Sequence, residues 1–223
     1  MSFRPMDWPS LGSPSVASAP HSLRHPRSLP LLAEAAAWRL LALLFESPSG
    51  AWREELAAVA AEVHDGELCA AASAAAVQAG EGLYYTLFGP GGPVSLREIS
   101  YRPTVDAGQF LAELADGYAA FGYHPAGYEP PDHLTIEAGF VAFLRLKEAF
   151  AEERGESSQA ALAARCARDF VSEHLARFSK PLVSRLADMG IQYLAQAAAA
   201  LLRYAPPAPQ VSGTALEIVR AEE

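Results

Sequence analysis

The sequence predicts an all-α fold, a single-domain helical bundle with long connections between its helices. Three observations carry that prediction. Apolar residues recur at three- and four-residue intervals in segment after segment, those segments end on Ser, Pro, Gly and Asp clusters, and convincing two-residue alternation is missing between the ends. Weak strand character is confined to VSGTALEIV, residues 211–219.

Residues 1–29 carry Pro, Ser, His and Arg without periodicity, a composition that cannot bury enough surface to order itself, and read as a tail. From Leu31 the spacing of Leu32, Trp38, Leu40, Leu41, Leu44 and Phe45 predicts a first helix, closed by Ser47-Pro48-Ser49-Gly50. A second, capped by Ser49 or Gly50, carries Trp52, Leu56, Val59 and Val63 until Asp65-Gly66 breaks it. An alanine-rich helix over 67–78 follows, and a short one over 81–88 places Leu83, Tyr84, Leu87 and Phe88 on one face. Prolines and glycines make 89–108 a long loop, a kind of segment that tends to be functional when it occurs inside a compact domain. Helix resumes over 107–121 with Phe110, Leu111, Leu114 and Tyr118 buried, and a second loop covers 122–131.

Pro130 and Pro131 keep Glu129 outside the next helix and leave Asp132 as its expected N-cap. That helix, 132–150, is apolar nearly all round apart from a thin stripe of Glu137, Arg145 and Glu148, so it should be central. Ser157 or Ser158 then caps a helix bearing Leu162, Cys166, Phe170, Val171 and Leu175. Ser179-Lys180-Pro181 reads as a restart, with serine as cap and proline in the first turn of a final helix running to about Tyr204. Pro206-Pro207-Ala208-Pro209 stops that helix, and 205–223 reads as a second tail. The domain is therefore 30–204.

Composition narrows function further. At 223 residues and 51% hydrophobic the chain can build one sizeable core. A formal charge of −9 disfavours a nucleic-acid partner and suits a basic one. Its 15 Arg against 2 Lys reflect base-composition bias rather than function. Cys69 and Cys166 stand apart from any metal or disulfide spacing and read as reduced thiols. No apolar run reaches the roughly 20 residues of a membrane span, and a secretory leader pattern is missing, so a cytoplasmic protein is expected.

Catalytic signatures are sparse. GPGGP at 89–93 lacks the remainder of a phosphate loop, and neither GxSxG nor HExxH is present. His133 and Glu137, one helical turn apart, could share a metal with Glu129, Asp132 or His124, which keeps a metal-dependent hydrolase as an alternative. A helical nucleotide-binding regulator is another, without a phosphate-binding fingerprint to support it.

Two stretches carry a resemblance: LYYTLFGPGGPVSLREISY at 83–101 and GYEPPDHLTIEAGFVAFL at 127–144. Their order and content resemble the TorD/DmsD/NarJ family of redox-enzyme maturation chaperones, in which a Y-x-x-LF segment precedes a proline-rich loop and an E-x-P-D-H-L segment opens a central helix. The resemblance implies an all-helical, non-enzymatic chaperone without a cofactor of its own. Such a protein binds the twin-arginine signal peptide of a molybdenum-cofactor oxidoreductase subunit and delays export until the cofactor is inserted. Two guanidinium groups and an apolar stretch call for carboxylates beside apolar surface. Glu129, Asp132 and Glu137 are the candidates for the first need and Tyr84, Phe88, Tyr101 and Leu134 for the second, with His133 also expected among the peptide-binding residues. The same corner has a purely structural reading, in which Asp132 caps, His133 donates to a carbonyl of the 89–108 loop, and Glu129 pairs with Arg97 or Arg102.

Overall fold

A computed structural model describes residues 26–125, 127 and 129–207. Among them the fold is all-α, with helices α1 (Ser28–Leu44), α2 (Trp52–Ala60), α3 (Gly66–Gln78), α4 (Glu81–Phe88), α5 (Ala107–Ala120), α6 (Leu134–Arg154), α7 (Ser157–Phe170), α8 (Ala176–Ala187) and α9 (Gln192–Tyr204). The expected tails fall largely outside the described residues, as does the strand-like 211–219. Where they are described, Ser28 and Leu29 already belong to α1, and Ala205 is buried at the end of α9.

α1 and α6 form the centre. Leu40, Leu41, Leu43 and Leu44 of α1 and Leu134, Val141 and Leu144 of α6 are all but fully buried, each worth roughly 1.5–3 kcal/mol of apolar transfer. The two helices pack along each other more extensively than any other pair. They run antiparallel: the Ser28 hydroxyl donates to Glu153 at 3.1 Å, and Glu34 meets Arg145 at 2.9 Å. α7 lies on the far side of α6, while α9 packs between α3 and α8. Around Phe140 of α6, the rings of Tyr118, Phe121, Tyr123 and Phe170 gather with centroids 4.8–5.9 Å away, joining α5, α6 and α7.

Several expected helix ends are corrected. α2 starts after Ala51 without a side-chain cap from Ser49 or Gly50; the indole N–H of Trp52, donating to the Leu43 carbonyl at 2.9 Å, ties it to α1 instead. α2 closes at Ala60, and Val63 is buried beyond it. Asp65 does more than break the chain, because its carboxylate accepts from the N–H groups of Glu67 and Leu68 and caps α3. Neither Ser157 nor Ser158 caps α7, whose cap position is Glu156.

The restart at Ser179 does not occur. α7 passes through a π-turn, Val171–Leu175, straight into α8, and Pro181 sits inside that helix. The Ser179 hydroxyl is buried and donates to the carbonyl of Ala205 at 2.9 Å, fastening α8 to the end of α9. The chain turns instead at 188–191, through Gly190 at φ +69°, so the final helix is two.

Candidate functional site

The 89–108 loop is pinned rather than free. Gly92 packs so closely on α4 that a Cβ would lie 2.3 Å from the Leu87 carbonyl oxygen. Further on, the loop forms a single antiparallel bridge between Arg97 and His133. Within it Leu134 N–H donates to the Leu96 carbonyl at 2.8 Å and Glu98 N–H to that of Asp132 at 2.9 Å. A 3₁₀ turn, Glu98–Tyr101, follows.

This bridge decides what the Glu-Pro-Pro-Asp-His corner does. Asp132 is fully buried and is not the cap of α6. Its Oδ1 accepts from Arg97 Nε and Nη2 at 2.9 and 2.8 Å, and its Oδ2 from Ile99 N–H at 3.1 Å. The cap is His133, whose Nδ1 accepts from Thr135 N–H and lies 2.8 Å from the Thr135 hydroxyl. Burial, followed by the Arg97 charge, drives the His133 pKa down to about 4. The neutral ring therefore carries its proton on Nε2, which faces Glu129 at 3.7 Å. At neutral pH that contact is not an ion pair.

Glu137 also lies inside rather than on a solvated stripe, with both oxygens buried and the Glu98 carboxylate as its hydrogen-bonding neighbour. Burial and the neighbouring Glu98 carboxylate hold it protonated well above the usual carboxyl range. Glu98 is buried as well. Burial favours its neutral form, but the imidazole of His174 at 2.9 Å and the Arg102 guanidinium keep it ionised, below the usual range. Glu98, Glu137 and His174 offer ligand atoms within 4.8 Å of one another, the one such grouping among the described residues; His133 is not part of it. Arg102 already neutralises Glu98 there, donating through Nε at 2.6 Å.

The other expected residues divide similarly. Leu134 is sealed in the core, and half-buried Tyr101 stacks on Phe178 while its hydroxyl donates to the Ser95 carbonyl at 2.8 Å. Phe88 is half-buried against Tyr84 and lines a small pocket of about 230 Å³ with Arg97, His133 and Glu129. Glu129 stays nearly half exposed, because Arg97 is engaged by Asp132 and Arg102 by Glu98.

Beside this corner opens a groove of about 1380 Å³. Its floor is the antiparallel pair α1 and α6, and its walls come from α2, the α4 tyrosines Tyr84 and Tyr85, and Tyr123, His124, Pro125, Gly127 and Glu129. Among the described residues four carboxylates line it: Glu46, Glu55, Glu62 and Glu129. Arg39 engages Glu46 at 2.5 Å and Glu55 at 2.6 Å, whereas Glu62 and Glu129 have no guanidinium or ammonium group in ion-pair range among the described residues. Apolar surface is concentrated at the same place: Leu29, Tyr85 and Leu146 are exposed and line the groove, and Phe150 is exposed one turn beyond Leu146. Of the expected peptide-binding residues, Glu129 and Tyr84 line this groove, as does His124 from the alternative metal set.

Sequence reasoning missed Arg39, Glu46, Glu55 and Glu62. The available signal was their recurrence on α1, α2 and the turns on either side of α2, faces otherwise counted as solvated. A family model described as nitrate reductase delta subunit matches residues 50–184, more than half of the chain. The chain belongs to the nitrate reductase delta subunit family. Its members are chaperones of molybdoenzyme assembly, in agreement with the resemblance of 83–101 and 127–144. The family match covers α2 to most of α8 and takes in Glu55, Glu62, Tyr84, Tyr85 and the Glu129 corner; α1, which supplies half of the groove floor, precedes it. No curated protein matches the sequence. No described helix is long and apolar enough to cross a membrane.

Proposed function

We propose that this member of the nitrate reductase delta subunit family is a cytoplasmic chaperone whose groove holds the leader peptide of a molybdenum-cofactor oxidoreductase subunit. A twin-arginine leader fits best. The protein retains its client until cofactor insertion is complete, and it acts by binding, without turnover.

The observation that carries this reading is the groove itself. At about 1380 Å³ it exceeds the 300–1,000 Å³ typical of small-molecule sites, and it sets unengaged carboxylates beside exposed leucine and tyrosine. Guanidinium groups pair with carboxylates through charge-assisted hydrogen bonds, and burying an apolar leader segment supplies the remaining affinity. The acidic net charge of −9 favours encounter with a cationic peptide.

Glu129→Arg tests the reading. Reversing this half-exposed charge should weaken binding of a synthetic twin-arginine peptide by about tenfold, the scale of one charge-assisted contact, and leave the thermal midpoint unchanged. Calorimetry with the full chain provides the measurement, and unaltered affinity would count against the groove.

A further inference from the structure

The groove is polarised, and its polarity sets the direction of the occupant. Because α1 and α6 run antiparallel, the start of α1 and the end of α6 share one end of the floor, where Leu29, Leu32 and Leu146 line the groove and exposed Phe150 extends its lip. The opposite end has a different character. Arg39, Glu46 and Glu55 form one charged cluster there, and the Glu129 carboxyl pKa is raised by burial, opposed by the Arg97 charge and raised further by Glu46. Glu129, Tyr84 and Tyr85 are shared with the small polar pocket that opens beside this end. Glu62 lines the groove from the turn after α2, between Val59 and His64 in sequence.

From these positions we infer that a leader peptide binds in one direction, with its guanidinium groups at the Glu129 end and its apolar stretch running along α1 and α6 toward Leu29 and Leu146. The inference rests on the peptide-binding reading above. In an export leader the basic segment precedes an apolar run of 7–15 residues. Bound this way, the peptide's N-terminus lies near Tyr84 and Tyr85 and the client's folded body emerges at the Leu29–Phe150 lip. Dimensions agree: Leu29 to Arg39 spans about 15 Å of helix, and a helical apolar run of that length covers about 10–22 Å. Glu129 reads the arginines, and Leu146 reads the apolar run.

Photo-crosslinking with the full chain tests direction. Two twin-arginine peptides carry benzophenone either just before the arginines or at the last apolar residue, and adducts are mapped by mass spectrometry. The first should label Tyr84, Tyr85 or residues 123–125, and the second Leu29, Leu146 or Phe150. Reversed labelling, or one pattern for both probes, overturns the direction while leaving the groove intact. Adducts outside the groove, or no saturable binding, overturn the peptide reading itself. Affinities provide an independent arm: Glu129→Gln should weaken the arginine peptide severalfold and have no effect on a peptide with both arginines replaced by glutamine. Leu146→Ser should weaken both, and an equal Glu129→Gln effect on the two peptides would also overturn the assignment.

Discussion

At the scale of single residues, the ionisable groups of the corner serve the fold more than the surface. Asp132 joins the 89–108 loop to the start of α6 through Arg97 and Ile99, so Asp132→Ala should cost about 2 kcal/mol in chemical denaturation. The figure is below that for a fully buried pair because the Arg97 side chain is 38% exposed and solvent can recover part of its charge. His133 gives a pH signature. Its pKa in the fold, about 4, lies below the usual imidazole value, so the unfolded chain binds the extra proton. Stability is therefore fully present above about pH 6.5 and is lost as pH falls toward 4, by roughly 3 kcal/mol in all. His133→Asn keeps an acceptor at the cap, facing the same Arg97 and Glu129, and should flatten that slope in denaturant midpoints measured from pH 4 to 7. Glu137 acts with the opposite sign. A carboxyl whose folded pKa is raised loses stability as pH rises through that value, so Glu137→Gln should gain in thermal midpoint relative to the natural chain between pH 5 and pH 8.

At the scale of elements, backbone chemistry accounts for most helix limits. Gly155 ends α6 in the left-handed region, at φ +71°, with open space where a Cβ would stand. Gly155→Ala should therefore cost about 1 kcal/mol from backbone strain alone, read as a lowered thermal midpoint with unchanged helicity. α8 shows where local rules yield. Proline favours a first turn, yet Pro181 lies inside α8 because buried Phe178, Leu182 and Leu186 hold the helix in place and Ser179 ties it to Ala205. Packing outweighs the one lost backbone hydrogen bond.

At the scale of the whole molecule, the groove lies along the α1–α6 pair, while α7 packs on α6 and α3 and α9 pack on α1. Peptide binding should slow amide exchange in α1, α2, α4 and α6 while leaving α8 and α9 unchanged, measured by hydrogen exchange with and without a saturating twin-arginine peptide. Uniform protection across all helices would indicate general tightening instead of an occupied groove.

Much of the fold was legible because it follows from local pattern. The leucine spacing of α1, the unbroken apolar run of α6, and the Asp65-Gly66 and 47–50 breaks each specify an element without reference to any other. The site was legible only in part. Glu129 and Tyr84 were identified, but Asp132, Glu137 and Leu134 share their segment and turn inward, a choice made by the Arg97–His133 bridge and by Glu98 from another part of the chain. Glu46, Glu55 and Glu62 become site residues only because α2 and the turns on either side of it line the same groove as Glu129. The sequence by itself determined an all-helical chain, its central helix and its family, since periodicity, caps and motifs are properties of neighbouring residues. Which acids reach solvent and which are sealed was decided by tertiary structure, because burial and charge pairing depend on residues far apart in the chain.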